Sequence, residues 1–326
     1  MVGLLLTAIR EPGKVTDNVT LIDFKYEGVA RVGGVYLVEA GKKCLIDSGD
    51  KAGAPHIIKT LKEMNAFPPD YVILTHSHWD HSQGIPTFRD KAKQVQKTFE
   101  TFSSEKAIPL LEDQSYNEVL KSTRFENIKD VFPLKEGDII DLDGLSLKVI
   151  DVPGHNKDHI ALVDENNKNI FLGDSIGIKV GDNAFLSPIM PPFWNTDDYL
   201  KTIEKLKKID FESVCLNHFG YIYGDEATNI LEESRKSYEQ EWQVYEIAEQ
   251  NGKLDDLDYI VDLVMKKMNP VIPELPIEKF MMKFMLGFIN TARRVVRKEP
   301  FAVANILLKQ TLEMKVKGYK IAKGIP

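Results

Sequence analysis

The 326-residue sequence predicts an α/β fold with a C-terminal helical extension. Two observations support this prediction. Short apolar segments typical of strands alternate with helical patterns up to about residue 224, and only helical periodicity follows from about Thr228 onward. A third observation concerns chemistry. Histidines and an aspartate follow several predicted strands, and because strand ends share one edge of a sheet, these side chains can converge.

The first elements are read as a hairpin, a helix and a strand. An apolar run on each side of Ala40-Gly41-Lys42 predicts the hairpin. Residues 55–64 are predicted to be helical, because apolar residues recur there at helical spacing. Residues 71–74 form a short, wholly apolar strand that runs directly into His76.

The next elements complete the α/β region. Asp143-Gly144 separates two strands and predicts a second hairpin. Residues 160–163 and 170–172 are read as a further strand pair. Residues 195–198 predict the capped start of a helix, and residues 214–216 are the final strand.

The C-terminal region is predicted to be helical throughout. Four helices are expected, at residues 230–249, 254–268, 277–297 and 301–319. We therefore divide the chain into an α/β domain at residues 1–235 and a helical subdomain at residues 236–326.

The third of these helices carries an apolar stripe. Its members are Phe280, Phe284, Phe288, Ala292 and Val295. Such a stripe is ordinarily core, but it can also wall an active site or form a homodimer interface, and these alternatives remain open.

Composition and charge limit the classes of protein. A hydrophobic content of 43% is enough for a sizeable core, and a net charge of −7 argues against nucleic-acid binding. No segment approaches the about 18 apolar residues of a membrane span, and the first residues lack the features of a signal peptide. Cys44 and Cys215 are read as buried free thiols. We expect a cytoplasmic protein that acts on a small-molecule substrate, with neither a nucleic-acid nor a membrane partner.

Residues 75–81, THSHWDH, hold three of the seven histidines. His76 and His78 are two residues apart, so in an extended segment both side chains point to one side. Imidazole and carboxylate groups are ligands of zinc, iron(II) and manganese. A single tetrahedral catalytic site would use only three of these side chains. Four candidate ligands in one loop, with more at other strand ends, therefore predict two metals.

The segment His76-x-His78-x-Asp80-His81 resembles the HxHxDH signature of the metallo-β-lactamase superfamily. Four further segments match the family pattern in order: Leu45-Ile-Asp-Ser-Gly49, Pro153-Gly-His155, Leu172-Gly-Asp174 and Asn217-His218. The resemblance covers about residues 19–224. It implies an αββα sandwich at residues 1–235, with metals at one edge of its two sheets.

The resemblance also implies a role for each motif residue. A first ligand group comprises His76, His78 and His155, a second ligand group comprises Asp80, His81 and His218, and Asp174 bridges the two metals. Asp47 is expected to steady the metal loop. The two divalent ions would be zinc or iron, with manganese as an alternative, and would share a hydroxide formed at neutral pH. Asp80 is the expected catalytic proton acceptor.

Two other residues leave alternatives open. His159 either positions substrate or donates a proton, or it is structural. Cys215 is expected to be buried and not to bind metal. Asp174 stands where the best-known antibiotic-hydrolysing subclass has a cysteine. In this respect the chain is similar to the hydroxyacylglutathione hydrolase, lactonase and phosphodiesterase branches.

The predicted function is hydrolysis of an ester or thioester. Aromatic and apolar residues in segments 185–188, 190–194 and 221–223 are expected near the metals and suit an acyl group. The helical tail resembles those of glutathione-thioester hydrolases and of the quinolone-biosynthesis thioesterase. The alternatives are a phosphodiesterase, and a regulatory or scaffold protein that keeps its metals but has little turnover.

Overall fold

The computed structural model describes residues 8–9, 11–121, 123–181, 184–218, 220–268 and 303–326. Its frame is a pair of seven-stranded sheets. The first sheet has the spatial order β2 (Gly13–Lys14), β3 (Val19–Asp23), β4 (Gly34–Glu39), β5 (Lys43–Ile46), β6 (Tyr71–Leu74), β7 (Glu100–Ser104) and β8 (Phe132–Leu134). The second has the order β1 (Ala8–Ile9), β16 (Gly220–Tyr223), β15 (Ser213–Leu216), β12 (Asn169–Gly173), β11 (Ile160–Asp164), β10 (Ser146–Asp151) and β9 (Ile139–Asp141). Strands β13 (Ile178–Gly181) and β14 (Ala184–Leu186) form a separate hairpin.

The two sheets pack face to face through an apolar layer. Tyr36, Ile46 and Ile73 of the first sheet share one buried cluster with Phe171 and Cys215 of the second. The rings of Tyr36 and Phe171 lie 5.7 Å apart in an edge-to-face arrangement, which aromatic pairs favour. The Tyr36 hydroxyl donates a 2.8 Å hydrogen bond to the carbonyl of Leu216, so its polar end is also satisfied between the sheets.

Helices cover both outer faces. Helices α1 (Ala54–Glu63), α3 (Ile85–Gln94) and α4 (Ile108–Glu112) pack on the first sheet, and the short α2 (Trp79–Ser82) precedes α3. Helices α5 (Thr196–Leu206) and α6 (Asp225–Gln250) pack on the second. Helices α7 (Leu257–Met268) and α8 (Val303–Lys323) pack against α6 and extend the same apolar cluster. The architecture is therefore the αββα sandwich that was predicted, with C-terminal helices.

Several predicted elements appear close to their predicted positions. The hairpin around Ala40-Gly41-Lys42 is β4–β5, and the strand at residues 71–74 is β6. Helix α5 begins as predicted, because the Asn195 side chain accepts a hydrogen bond from the Asp198 amide and caps the first turn. Cys44 and Cys215 are buried free thiols.

The C-terminal predictions are only partly covered. The boundary expected between residues 235 and 236 falls inside α6, and the division into two units stays a prediction. The predicted helix at 277–297, with its stripe from Phe280 to Val295, lies outside the described residues. Within the described ranges, no helix is long and apolar enough to cross a membrane.

Candidate metal centre

Parallel strand directions bring the motif residues to one edge. Strands β5 and β6 are parallel, and so are β12 and β15. Strand β10 is antiparallel to β11, which is antiparallel to β12, so β10 and β12 also end at the same edge. The residues that follow these ends are Asp47 after β5, His76 after β6, His155 after β10, Asp174 after β12 and His218 after β15.

The seven predicted ligands converge at this edge. Their side-chain ligand atoms form three sets, each within 4.8 Å: the first ligand group, the second ligand group, and His76 with His81 and Asp174. Histidine and carboxylate donors in such sets suit a divalent transition metal. Because the third set shares His76 with the first ligand group and His81 with the second, the seven residues form one continuous centre.

Three histidines of the centre are held through their Nδ1 atoms. Nδ1 of His155 lies 2.8 Å from the carbonyl of Pro188, and Nδ1 of His218 lies 2.9 Å from the carbonyl of Val32. Nδ1 of His81 lies 2.9 Å from Oδ2 of Asp47. A carbonyl or carboxylate oxygen can only accept a hydrogen bond, so each Nδ1 must donate it. Each ring therefore presents Nε2 to the centre, as metal-binding histidines do when a partner fixes their tautomer.

His76 shows the same tautomer through a relay. Thr75 Oγ1 donates to Asp47 Oδ2 at 2.9 Å and lies 3.1 Å from His76 Nδ1. Since the hydroxyl has one proton, it must accept from His76. His76 Nε2 is then a buried lone pair, and it has no hydrogen-bond partner in the described part of the chain. The same holds for Asp174 Oδ1. Buried acceptors without partners are costly, and a bound cation would satisfy them.

Asp47 ties this relay to the metal loop. Its carboxylate also accepts hydrogen bonds from the Thr75 amide at 2.7 Å and from Asn217 Nδ2 at 2.7 Å. Its backbone φ is 61°, in the sparsely populated left-handed region, and such strain is typical of functional sites. Asp47 therefore has the contacts expected of a residue that steadies His76 and His81.

Burial and nearby carboxylates shift the pKa values of the histidines in opposite directions. Burial lowers the pKa of His76 and His78 well below the usual value, and also lowers that of His155. Burial has the same effect on His81 and His218, but nearby carboxylates outweigh it, Asp174 foremost, and raise the pKa of both. In the metal-free protein the histidines of the first ligand group therefore favour the neutral form, whereas His81 and His218 favour the protonated form.

The carboxylates show the reverse effect. Burial favours the protonated form of Asp80, but His81 and His218 outweigh it and lower the Asp80 pKa to about 2. Burial opposes ionisation of Asp174 too, yet His218 and His81 hold its pKa well below the usual range. Oδ2 of Asp174 lies 3.2 Å from His81 Nε2, 3.6 Å from His218 Nε2 and 3.8 Å from His155 Nε2. It is therefore an ionised acceptor at the middle of the centre.

We expect Zn²⁺ binding to the second ligand group to release protons. His81 and His218 have raised pKa values, so their protons must leave before the ring nitrogens can bind metal. Affinity at this group should rise with pH, by up to about tenfold per unit for each proton displaced, until the pH passes those pKa values. The neutral first ligand group should show little dependence near pH 7. Calorimetry in buffers of different ionisation enthalpy measures the protons, and equal release at both groups would contradict this assignment.

His159 occupies a structural position in the centre. Its Nδ1 donates to the Ile160 carbonyl at 3.1 Å, so its Nε2 accepts from the amide of Asp174, also at 3.1 Å. Its ring stacks on His76 with centroids 4.4 Å apart. These contacts support the structural alternative, in which His159 fixes the backbone that carries Asp174.

Asp158 and Tyr116 lie beside the centre although neither belongs to a predicted motif. Asp158 Oδ2 accepts from the amide of Ser77, between the first two motif histidines, at 2.9 Å, and burial raises the Asp158 pKa to about 6. The Tyr116 hydroxyl lies 2.6 Å from Ser77 Oγ. The only sequence signal for Asp158 is its position in Gly154-His-Asn-Lys-Asp-His159, beside two motif histidines. Tyr116 has no such signal, because it reaches the centre from a separate 3₁₀ segment, Gln114–Val119.

Aromatic side chains border the centre. Tyr116 is half-buried, 6.3 Å from the ring of His78 and 5.4 Å from that of Phe193. On the opposite side Tyr26 lies 5.6 Å from the ring of His218. Other aromatic residues expected near the metals lie elsewhere. Trp194 is buried between the second sheet and its helices, and Tyr221 is buried between the two sheets. Tyr223 pairs with Ser213 at the far end of β15.

An αββα sandwich with this centre at one sheet edge defines a class of metal-binding proteins, and the family model agrees. The model of the metallo-beta-lactamase superfamily matches residues 30–218, more than half of the chain. This protein therefore belongs to the metallo-beta-lactamase superfamily.

Individual relatives are distant. The chain is 23% identical to the beta-lactamase-like protein 2 homolog of Caenorhabditis elegans over 78% of each chain. It is 29% identical to a hydroxyacylglutathione hydrolase of Ruegeria pomeroyi over 44% of this chain and 46% of that one. It is 28% identical to the acyl-coenzyme A thioesterase MBLAC2 of Homo sapiens over 49% of this chain and 60% of that one. The last two relatives are thus matched over less than two thirds of their length.

A solved structure shows the same fold over nearly the whole chain. An archaeal metallo-beta-lactamase superfamily protein from Sulfolobus tokodaii aligns with a TM-score of 0.55, at 16% identity. The alignment covers 96% of this chain and 97% of that one.

Proposed function

We propose that this protein is a metal-dependent hydrolase of a small-molecule ester or thioester, with two divalent ions held by the seven converging ligands. The position of Asp174 carries the proposal. Its Oδ2 lies within 3.8 Å of ring nitrogens from both ligand groups, and its Oδ1 is buried with no partner in the described ranges. A carboxylate with one free oxygen between two sets of donors suits a bridging role. We propose zinc or iron as the ions, with manganese as an alternative.

Bound divalent ions would lower the pKa of water towards 7 and polarise the bond under attack. The chain itself must then hold these donors in place and accept a proton. We assign the proton acceptor as Asp80, whose carboxylate is ionised at neutral pH because its pKa is about 2. Its side chain is 13% exposed, against 8% for Asp174 and 9% for His218, so it is the ligand carboxylate most open to an incoming substrate.

The aromatic border supports an acyl substrate. The ring of Tyr116 lies 6.3 Å from that of His78 and 5.4 Å from that of Phe193. The ring of Tyr26 lies 5.6 Å from that of His218. These aromatic rings offer apolar surface beside the predicted ligands. Such surface suits an acyl chain better than a bare phosphate. Two relatives bear the names of a hydroxyacylglutathione hydrolase and an acyl-coenzyme A thioesterase, and both names describe thioester hydrolysis. Both names therefore support the proposed bond type.

A matched substrate panel tests the proposal. The Zn²⁺-, Fe²⁺- or Mn²⁺-loaded protein is assayed with acyl-coenzyme A thioesters, acylglutathiones, p-nitrophenyl acetate and bis(p-nitrophenyl) phosphate. We expect kcat/KM for the thioesters or the ester to exceed that for the phosphodiester by at least about 100-fold, since differential contacts worth about 3 kcal/mol suffice. His56→Gln, a histidine of α1 outside the centre, is the matched control and should keep full activity. Preference for the phosphodiester would favour the phosphodiesterase alternative, and turnover of none would favour a regulatory or scaffold role.

A further inference from the structure

Helix α8 contains a fully buried lysine. Nζ of Lys315 lies 2.9 Å from Oε2 of Glu241 in α6, and both side chains are 0% exposed. Burying two charges is costly unless further hydrogen bonds satisfy them. The partners that satisfy this pair therefore indicate what it holds.

The shared partner is Ser187, in the segment that follows β14. Glu241 Oε1 accepts from the Ser187 amide at 2.7 Å, and Glu241 Oε2 accepts from the Ser187 hydroxyl at 2.8 Å. Lys315 Nζ donates to the Ser187 carbonyl and lies 3.1 Å from the Ser187 hydroxyl. Every polar group of Ser187 is thus bonded to the buried ion pair, which fixes both the position and the orientation of this residue.

The next residue holds a metal ligand. The carbonyl of Pro188 accepts the 2.8 Å hydrogen bond from Nδ1 of His155. Ser187, which the ion pair holds, is therefore followed directly by Pro188, whose carbonyl oxygen fixes the tautomer and orientation of His155. His155 belongs to the first ligand group only.

A second contact of α8 reaches the same segment independently. A Cβ atom at Gly318, one turn beyond Lys315, would lie 3.0 Å from Ile189 Cγ2 and 3.1 Å from the carbonyl carbon of Met190. These distances are tighter than ordinary contacts. The absence of a side chain at Gly318 therefore lets α8 lie directly against the Ile189 side chain and the Met190 backbone.

We propose that α8 is a positioning element of the metal centre: Lys315 and Gly318 hold residues 187–190 so that Pro188 keeps His155 directed at the first metal. Neither residue is catalytic, because neither touches the ligand atoms. The inference rests on the metal-binding part of the proposed function and is independent of the substrate. In this proposal, α8 of the C-terminal helical extension has a specific structural role.

The test is the double variant Lys315→Met with Glu241→Gln. Removing both charges avoids leaving one buried and unpaired, and glutamine can still accept from the Ser187 amide. In competition titrations with Zn²⁺ and a chelator, we expect affinity for one equivalent to fall about 10-fold or more, as when a ligand-orienting contact is lost. Affinity for the other equivalent should stay unchanged. Lys317→Met, an exposed lysine of the same helix that pairs with Glu313, is the matched control and should bind both equivalents normally.

A second readout does not need metal. Histidine ¹⁵N NMR of the metal-free protein should show that Nδ1 of His155 loses its fixed proton in the double variant and keeps it in Lys317→Met. Should the double variant fail to fold, Gly318→Ala, which changes no charge, provides the same comparison. Two normal Zn²⁺ affinities and an unchanged His155 spectrum in a folded variant would overturn the positioning role. Equal weakening of both equivalents would also overturn it. A parent protein that binds none of Zn²⁺, Fe²⁺ and Mn²⁺ would instead refute the proposed function.

Discussion

Asp174→Asn should abolish hydrolysis and weaken the binding of both metals, the largest effect expected of any single substitution. The carboxylate lies at the middle of the centre, with Oδ2 within 3.8 Å of His81, His218 and His155. Asparagine keeps the shape but offers one acceptor oxygen and no charge. Loss of a ligand should cost more than the about 10–100-fold in metal affinity that losing an outer hydrogen-bond partner costs.

The same variant should change the protonation of the metal-free protein. Asp174 is the foremost carboxylate that raises the pKa of His81 and of His218. Both pKa values should therefore fall in Asp174→Asn, which NMR titration can measure. The matched control is Asp164→Asn, a buried aspartate at the end of β11 outside the centre. Two tightly bound Zn²⁺ ions in Asp174→Asn would contradict the bridging role.

Asp80→Asn should lower kcat by about 10²–10⁴, the usual contribution of a positioned acid or base, while the protein stays folded. Asparagine cannot accept the proton, and it removes the charge that faces His218 at 3.1 Å. Metal content measured beside kcat separates the two contributions. If the variant retains two Zn²⁺ ions and loses turnover, Asp80 acts as a proton acceptor. Turnover within a few-fold of the parent enzyme would show that the proton goes elsewhere.

The strands that position the ligands were the most predictable elements. Strands β6, β11, β12 and β15 are short apolar runs, since each is covered on both faces, and such runs are recognisable in a sequence. Strand β7 was missed. Its sequence, Glu-Thr-Phe-Ser-Ser, is largely polar, and it becomes a strand because it pairs with β6 and β8 within the sheet. Here the tertiary context overrides local preference.

The same contrast applies to the centre. The convergence of the seven predicted ligands could be anticipated because they stand next to strands and in recognisable motifs. The groups that orient them were not, because their contacts join distant parts of the chain. Asp158 meets Ser77 across 81 positions, and Lys315 meets Ser187 across 128. Neither contact leaves a periodicity or spacing in the sequence, so only the fold reveals it.

One measurement tests the central claim most directly. Metal-depleted protein is titrated with Zn²⁺, and the rate of hydrolysis of the best thioester or ester is followed at each added equivalent. The account predicts that the rate keeps rising through the second equivalent per chain and then reaches a plateau, because both ligand groups and Asp174 act together. Full activity at one equivalent, or no hydrolysis at any equivalent, would contradict it.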